Sequence, residues 1–296
     1  MKKTLIVITG PTASGKTALA IDVAGALGCE IISADSRQVF RGIPIGTAAP
    51  TPDELAAVPH HFVQFLDLDA YYSAAQFEED VMALLPKLFS RSDYAIMCGG
   101  SMMYVDAVTR GIDLLPTISN EIRTRCLNLY QREGLEAVHR CLETLDPAYL
   151  ATADLQNPRR MIHALEICLQ AGVPYSSLRT GAVKERPFRI VKFALQPERQ
   201  VMFDRINRRV DLMMEQGLFD EARQVYPLRH LNSLNTVGYK ELFRHFDGDW
   251  DLPTAVARIQ KNTRVFAKKQ LTWLNKSADA IPLPTPSADA ILAHLQ

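Results

Sequence analysis

The sequence predicts an α/β protein: a parallel sheet carrying a phosphate-binding loop, flanked by helices and interrupted by an all-helical insertion. The apolar run Leu5-Ile6-Val7-Ile8 leads through Gly10-Pro11-Thr12-Ala13-Ser14-Gly15-Lys16-Thr17 into an alanine- and leucine-rich helical stretch. That is the full phosphate-loop pattern in the strand–loop–helix setting it requires. Two further apolar runs, at 29–33 and 94–98, alternate with helical patterns, as parallel sheets demand. From Ser119 to about Gly172, amphipathic helices instead follow one another without a strand. Residues 1–115 and 189–296 therefore read as the core, and 116–188 as the insertion.

Each element has its local reason. Residues 18–27 have helical spacing and stop at Gly28. The second strand, 29–33, runs into Ala34-Asp35-Ser36-Arg37-Gln38. The segment 39–59 is rich in Gly, Pro and Thr and reads as loop, and the pair His60-His61 receives no role. Ser73 and Gln76 form a capping-box signature ahead of Phe77, Val81 and Leu84. The third strand ends at Gly99-Gly100-Ser101, and Arg189–Leu195 reads as a fourth. In such sheets ligands sit at the carboxyl ends of the strands, so residues 10–17, Asp35 and 99–101 are expected to share one crevice.

Composition narrows the class. The chain has 296 residues, 47% hydrophobic and 22% charged, with a formal net charge of zero. It contains no run long and apolar enough to span a membrane, and the chain start reads as strand rather than signal peptide. Five scattered cysteines without a C-x-x-C pair fit free thiols in a reducing cytoplasm rather than a zinc site. Charge is uneven along the chain: between Arg258 and Lys276 stand six basic residues and no acid. In that helix Ile259, Phe266 and Trp273 are expected to pack inward, with Lys261, Arg264 and Lys268 on another face.

The chemistry begins with the loop. Its glycines turn backbone N–H groups into one concavity, and the next helix brings the positive end of its dipole. Lys16 adds a cation for the terminal phosphates, and the Thr17 hydroxyl is placed for magnesium. A kinase or nucleotide hydrolase would hold its metal with an acid at a core strand end. Here the third strand ends Met97-Cys98-Gly99-Gly100, so the well-placed carboxylate is Asp35. It reads either as a turn or helix cap, or as a base taking a proton from a nucleophile near the phosphates. Among Arg205, Arg208 and Arg209, on a helical segment over 203–225 with Ile206, Val210 and Met213 or Met214 inward, one directed at the crevice would neutralise a phosphate leaving group. Asn157-Pro158-Arg159-Arg160-Met161-Ile162-His163 is a basic helix start within the insertion.

Together these motifs resemble the tRNA dimethylallyltransferase family, also called tRNA isopentenyltransferases. The resemblance runs along nearly the whole chain: GPTASGKT at 10–17, EIISADSRQVFRG at 30–42, IGTA at 45–48, GGSMMY at 99–104, MEQGLFDEA at 214–222, VGYKEL at 237–242 and TRVFAKKQLTW at 263–273. It implies transfer of an allylic prenyl group from dimethylallyl diphosphate to the exocyclic amine of the adenosine 3′ to a tRNA anticodon. The loop Gly10–Thr17 would then hold diphosphate, with Thr17 assisting magnesium. Asp35 would act as base, Arg209 would grip the diphosphate, and Ser101 would stand where the family has threonine. Asp35, Ser36, Arg37, Gln38, Arg159, Arg160, Met161, Ile162, His163, Val237, Gly238, Tyr239 and Lys240 match tRNA-contacting positions, with the insertion clamping the anticodon arm. A monomer is expected.

The chain departs from the family pattern at Gln156-Asn157, at His163 in place of arginine and at Ala49 in place of lysine. The last two remove positive charge. A small-molecule kinase, a transferase acting on free adenine nucleotides and a non-catalytic RNA-binding protein are the rival readings. The basic helix and the insertion argue against the kinase, since a small acceptor needs neither. The phosphate loop argues against the RNA-binding protein.

Overall fold

A computed structural model describes residues 2–277 and 279–295. The chain divides into two compact units, Met1–Thr109 with Glu185–Gln296, and Arg110–Lys184.

The first unit is built on a parallel sheet of six strands: β1 (Thr4–Thr9), β2 (Ile31–Ser33), β3 (His60–His61), β4 (Tyr94–Gly99), β5 (Arg189–Leu195) and β6 (Ala280–Leu283). Their spatial order is β3-β2-β4-β1-β5-β6. β1 is buried along its whole length because β4 and β5 flank it, with Thr9 opposite both Gly99 and Ala194. A strand with both faces covered reads as a continuous apolar run, which is how β1 looks in the sequence. Helix Lys16–Leu27 lays Leu19, Ala20, Val23 and Ala24 on Ile6, Ile8, Ile96 and Phe193.

Two strands fall outside the sequence reading. His60 and His61 pair with Ile31 and Ile32 as the edge strand β3. His61 Nε2 lies 2.6 Å from Glu30, which also accepts from Arg91 at 2.8 Å. The pair therefore fastens an edge. β6 closes the opposite edge against Lys192–Leu195. The loop before β3 also contains a helix, Pro52–Ala57, started by the Thr51–Glu54 capping box. The Ser73–Gln76 box starts helix Ala74–Phe89 as its pattern predicts.

The basic segment forms one helix, Leu252–Leu274, but its buried residues are Ala255, Ile259, Ala267, Gln270 and Leu274. Phe266 is 42% exposed and so does not pack inward with Ile259. Trp273 is half-buried, and its indole N–H donates to Asp106 at 2.8 Å. The segment 203–225 is shared by two helices. Arg199–Glu215 buries Met202, Ile206 and Val210, Gly217 breaks it at φ 103°, and Leu218–Val225 follows. Met213 and Met214 are half-buried.

The second unit contains helices Asn120–Glu133, Leu135–Leu145, Pro147–Leu150, Pro158–Ala171 and Tyr175–Leu178, and no strand among the described residues. Cys126, Val138, Leu142, Tyr149, Met161, Leu165 and Cys168 form its core. Among the described residues, no helix of the chain is long and apolar enough to cross a membrane.

Candidate phosphate site and basic surfaces

Residues 10–17 join the carboxyl end of β1 to the helix that begins at Lys16. Gly15 sits at φ 90°, a left-handed conformation that a side chain strains, and Ala13 accepts a similar one at φ 63°. Ser14 Oγ is buried with no hydrogen-bond partner among the described residues, and buried hydroxyls normally have one. The Thr17 hydroxyl makes no hydrogen bond among them either. Lys16 Nζ folds back to donate to Pro11 O at 2.8 Å. Burial pulls its ammonium down to about 8, with Arg209 adding to the effect and Cys98 and Asp35 opposing it. The loop thus gathers unsatisfied donors and a cation with weakened hold on its proton. An anion would relieve both.

The carboxyl ends of neighbouring strands frame this loop. Ala34 N donates to Cys98 O at 2.8 Å, Ser101 N to Ala34 O at 3.1 Å, and Thr9 Oγ1 to Gly99 O at 3.1 Å. These bonds fasten the ends of β1, β4 and the stretch after β2 to one another. Asp35 Oδ1 accepts from Arg37 N at 2.9 Å and Gln38 N at 3.3 Å. The cap reading of Asp35 is therefore what this oxygen does. Oδ2 accepts no hydrogen bond among the described residues, so capping leaves the second oxygen available. The negative charge of Asp35 partly offsets the effect of burial on Lys16, Arg37 and Arg209, and adds to the upward push of burial on the Tyr104 hydroxyl.

Arg209 faces the loop: its Nη1 donates to Thr12 Oγ1 at 3.3 Å. Arg205 and Arg208 are exposed while Arg209 is half-buried. Burial lowers its pKa, partly offset by Glu54 and Asp35. Cys98, at the end of β4, has its thiol pushed up to about 11 by burial. Gln38 extends the frame. It accepts from Ser33 Oγ at 3.2 Å and donates to Thr47 O at 3.2 Å and Ala48 O at 2.8 Å. Ser36 is half-buried, and Arg37 donates to Asn232 O at 2.8 Å.

The remaining positions divide by exposure. Lys240 is exposed and Val237 half-buried, whereas Gly238 is buried and Tyr239 is 0% exposed. The Tyr239 hydroxyl donates to Glu221 at 2.6 Å, and Glu221 also accepts from Ile45 N and Gly46 N at 2.8 Å each. Tyr239 is thus a scaffold residue that holds the Ile45–Gly46 turn, and its side chain is closed to RNA. In the helical unit Asn157 caps Pro158–Ala171, accepting from Arg160 N at 3.3 Å. Arg159, Arg160 and His163 are exposed, while Met161 at 0% and Ile162 at 8% belong to the core. The rhythm of an amphipathic helix forces that division, so Met161 and Ile162 are packing residues rather than RNA contacts.

Two side chains that sequence reasoning missed hold the site in place: Glu221, buried behind the Ile45–Gly46 turn, and Gln270, 3% exposed. Gln270 accepts from Thr12 N at 2.9 Å and donates to Gly100 O at 2.9 Å. A polar residue in register with Ala267 and Leu274 was the available signal.

A cation-lined phosphate loop at the carboxyl edge of a parallel sheet makes this a phosphate-loop α/β protein. The IPP transferase family profile matches residues 38–277, and the chain belongs to that family. It is 53% identical to tRNA dimethylallyltransferase 1 of Phocaeicola vulgatus over 281 residues, covering 95% of this chain and 94% of that protein. It is 54% identical to tRNA dimethylallyltransferase 2 of Porphyromonas gingivalis over 275 residues, covering 93% and 92%. Among solved structures, the full-length tRNA isopentenylpyrophosphate transferase of Bacillus halodurans superposes with a TM-score of 0.71 at 35% identity, covering 99% of this chain and 94% of that one.

Proposed function

We propose that the protein transfers a dimethylallyl group from dimethylallyl diphosphate to the exocyclic amine of the adenosine 3′ to the anticodon of tRNA, releasing diphosphate. The observation that carries the reading is a phosphate loop whose crevice pairs two cations, Lys16 and Arg209, with one carboxylate oxygen without a partner, Asp35 Oδ2. The names of its relatives, tRNA dimethylallyltransferase and tRNA isopentenylpyrophosphate transferase, support a prenyl diphosphate as donor and tRNA as acceptor.

The amine is a poor nucleophile because its lone pair is delocalised into the purine ring. Its nitrogen forms a bond to the allylic carbon as the carbon–oxygen bond of the donor breaks, and the electron pair leaves on the diphosphate. Lys16, Arg209, the unpaired Ser14 hydroxyl and the loop N–H groups meet that charge, the kind of preorganised stabilisation that outweighs other terms. Asp35 Oδ2 takes the amine proton, while Oδ1 keeps its bonds to Arg37 and Gln38 and so fixes the carboxylate plane. Thr17 would hold magnesium: its hydroxyl, with no hydrogen-bond partner among the described residues, is the hard oxygen ligand this ion favours. The ion, when bound, supplies further neutralisation of the leaving diphosphate. Ser101 lies two residues beyond β4 and is tied by its N–H to Ala34 O at 3.1 Å, next to Asp35.

Arg37, Gln38, Lys240 and, in the helical unit, Arg159, Arg160 and His163 are the proposed tRNA contacts. The target base must leave its stack to enter a crevice of this kind. The protein is read as a monomer working in the cytoplasm; five free cysteines support the reducing compartment. Incubation with labelled dimethylallyl diphosphate, magnesium and unmodified bulk tRNA is expected to place label in the tRNA and release diphosphate. Label in adenosine monophosphate but not in tRNA would replace this reading with the free-nucleotide reaction.

A further inference from the structure

The phosphate loop is not held by its own strand and helix alone. One amide, Gln270, bridges two loops of the site from the basic helix: Oε1 accepts from Thr12 N and Nε2 donates to Gly100 O, both at 2.9 Å. A Cβ at residue 100 would lie 2.3 Å from Gln270 Nε2, so glycine is what lets the amide reach that carbonyl. The bridge has a cost for anion binding, because the Thr12 N–H is taken up by Gln270 and is not left for a ligand. In exchange the peptide at Thr12 has one orientation, and its hydroxyl is left for Arg209 at 3.3 Å.

The same helix is fastened to the helix that carries Arg209. Ala267 packs with Met202 and Ile206, Arg264 bonds Asn207, and Gln260 donates to Asp211 at 2.9 Å. The phosphate loop, the Gly100–Ser101 turn and Arg209 are thus all referenced to helix Leu252–Leu274.

We propose that Gln270 is a positioning residue for the transfer step: its amide sets the phosphate loop against Arg209 and Gly100, so that the leaving diphosphate meets its cations in one geometry. The proposal rests on the reaction argued above. Charge on the diphosphate is largest once the carbon–oxygen bond has broken, so removing the clamp weakens diphosphate and the transition state more than the intact donor.

The test measures single-turnover transfer, donor KM and affinity for inorganic diphosphate in the full chain. Gln270→Met keeps the volume and removes both bonds. Gln270→Glu keeps the acceptor for Thr12 N but sets a carboxylate against Gly100 O. Each is expected to lower the transfer rate by roughly 10–100-fold, the scale of a misplacement of about 1 Å. Donor KM should move less than about threefold while diphosphate affinity falls roughly tenfold, a split that a stabilising role alone would not produce. Gly100→Ala, pressing on the same amide from the other side, is expected to reproduce the split. Folded variants with wild-type transfer and diphosphate affinity would overturn the proposal. If the wild-type protein transfers no prenyl group, the proposed reaction fails first; the diphosphate titration then still decides whether Gln270 positions the loop.

Discussion

Arg209 of the sheet unit is half-buried with its guanidinium on Thr12, whereas Arg159 and Arg160 of the helical unit stand exposed at a helix start. Arg159 and Arg160 make no ion pair among the described residues. The buried polar groups differ in the same sense. In the helical unit Asp146 is 0% exposed and fully used, accepting from Tyr149 N, Ser176 N and Ser176 Oγ at 3.0, 2.7 and 2.6 Å. The sheet unit leaves Ser14 Oγ unpaired and keeps Lys16 in surroundings that pull it to about 8. An unsatisfied buried donor costs about 1–3 kcal/mol. The sheet unit therefore carries a deficit at Ser14 that an anion at the loop would relieve, while Arg159 and Arg160 give the helical unit charge at its surface. In the proposed reaction the first suits a small anionic ligand and the second the phosphates of an RNA.

The sharpest way to break that contrast is at Asp35. Asp35→Asn keeps an oxygen to accept from Arg37 N and Gln38 N, so fold and tRNA affinity should be unchanged. It removes the base, and single-turnover transfer should fall by roughly 10²–10⁴-fold. A near-normal rate would reduce Asp35 to the cap that its Oδ1 already is.

Lys16 tests the deficit directly. The ligand-free chain holds it near 8 through burial, and a bound diphosphate favours the ammonium and raises that value. Below about pH 8 the lysine is charged in both states, so donor affinity is flat. Above it, binding takes up a proton, and affinity should weaken by up to about tenfold per pH unit until the bound value is reached. Calorimetry in two buffers of different ionisation heat reads the proton uptake. Lys16→Arg should abolish the slope, because a guanidinium stays charged throughout.

How much of this was legible in the sequence depends on how the residue is held. The phosphate loop, the Ser73 box and the Asn157 cap are local patterns whose cause lies within a few residues, and each stands where its motif places it. β3 and β6 are edge strands of two and four residues, too short for periodicity to register. Tyr239 carries a motif but points into the unit because Glu221, 18 residues earlier, needs its hydroxyl. Phe266 fails for the opposite reason. The buried stripe of its helix passes through Ala267 and Gln270, small and polar residues that an apolar count overlooks. Gln270 bonds Thr12 across 258 residues, and no local pattern announces such a partner.

On the helical side the expected effects are smaller and depend on salt. Arg159→Ala with Arg160→Ala should weaken tRNA binding and flatten its log–log salt dependence by roughly 0.7–0.9 for each phosphate no longer neutralised. Donor affinity should be unchanged, because the phosphate loop is untouched. Identical slopes would mean that this helix start does not meet RNA phosphates.

The smallest effect is expected at His163. On charge alone, His163→Arg should neutralise one further phosphate. The helix argues otherwise. Glu166, one turn on, already lies 3.6 Å from His163 Nδ1, and Arg123 is 3.9 Å from its other oxygen. A carboxylate three residues along a helix is a ready partner for a new guanidinium. The arginine should settle on Glu166, changing tRNA affinity by less than about twofold and the salt slope by well under the value of one phosphate. Adding Glu166→Gln releases it, and the slope should then steepen by roughly 0.7–0.9. If His163→Arg alone steepens the slope by that full amount, Glu166 does not hold the new side chain, and the exposed charges of the helical unit are freer than their pairing in this structure implies.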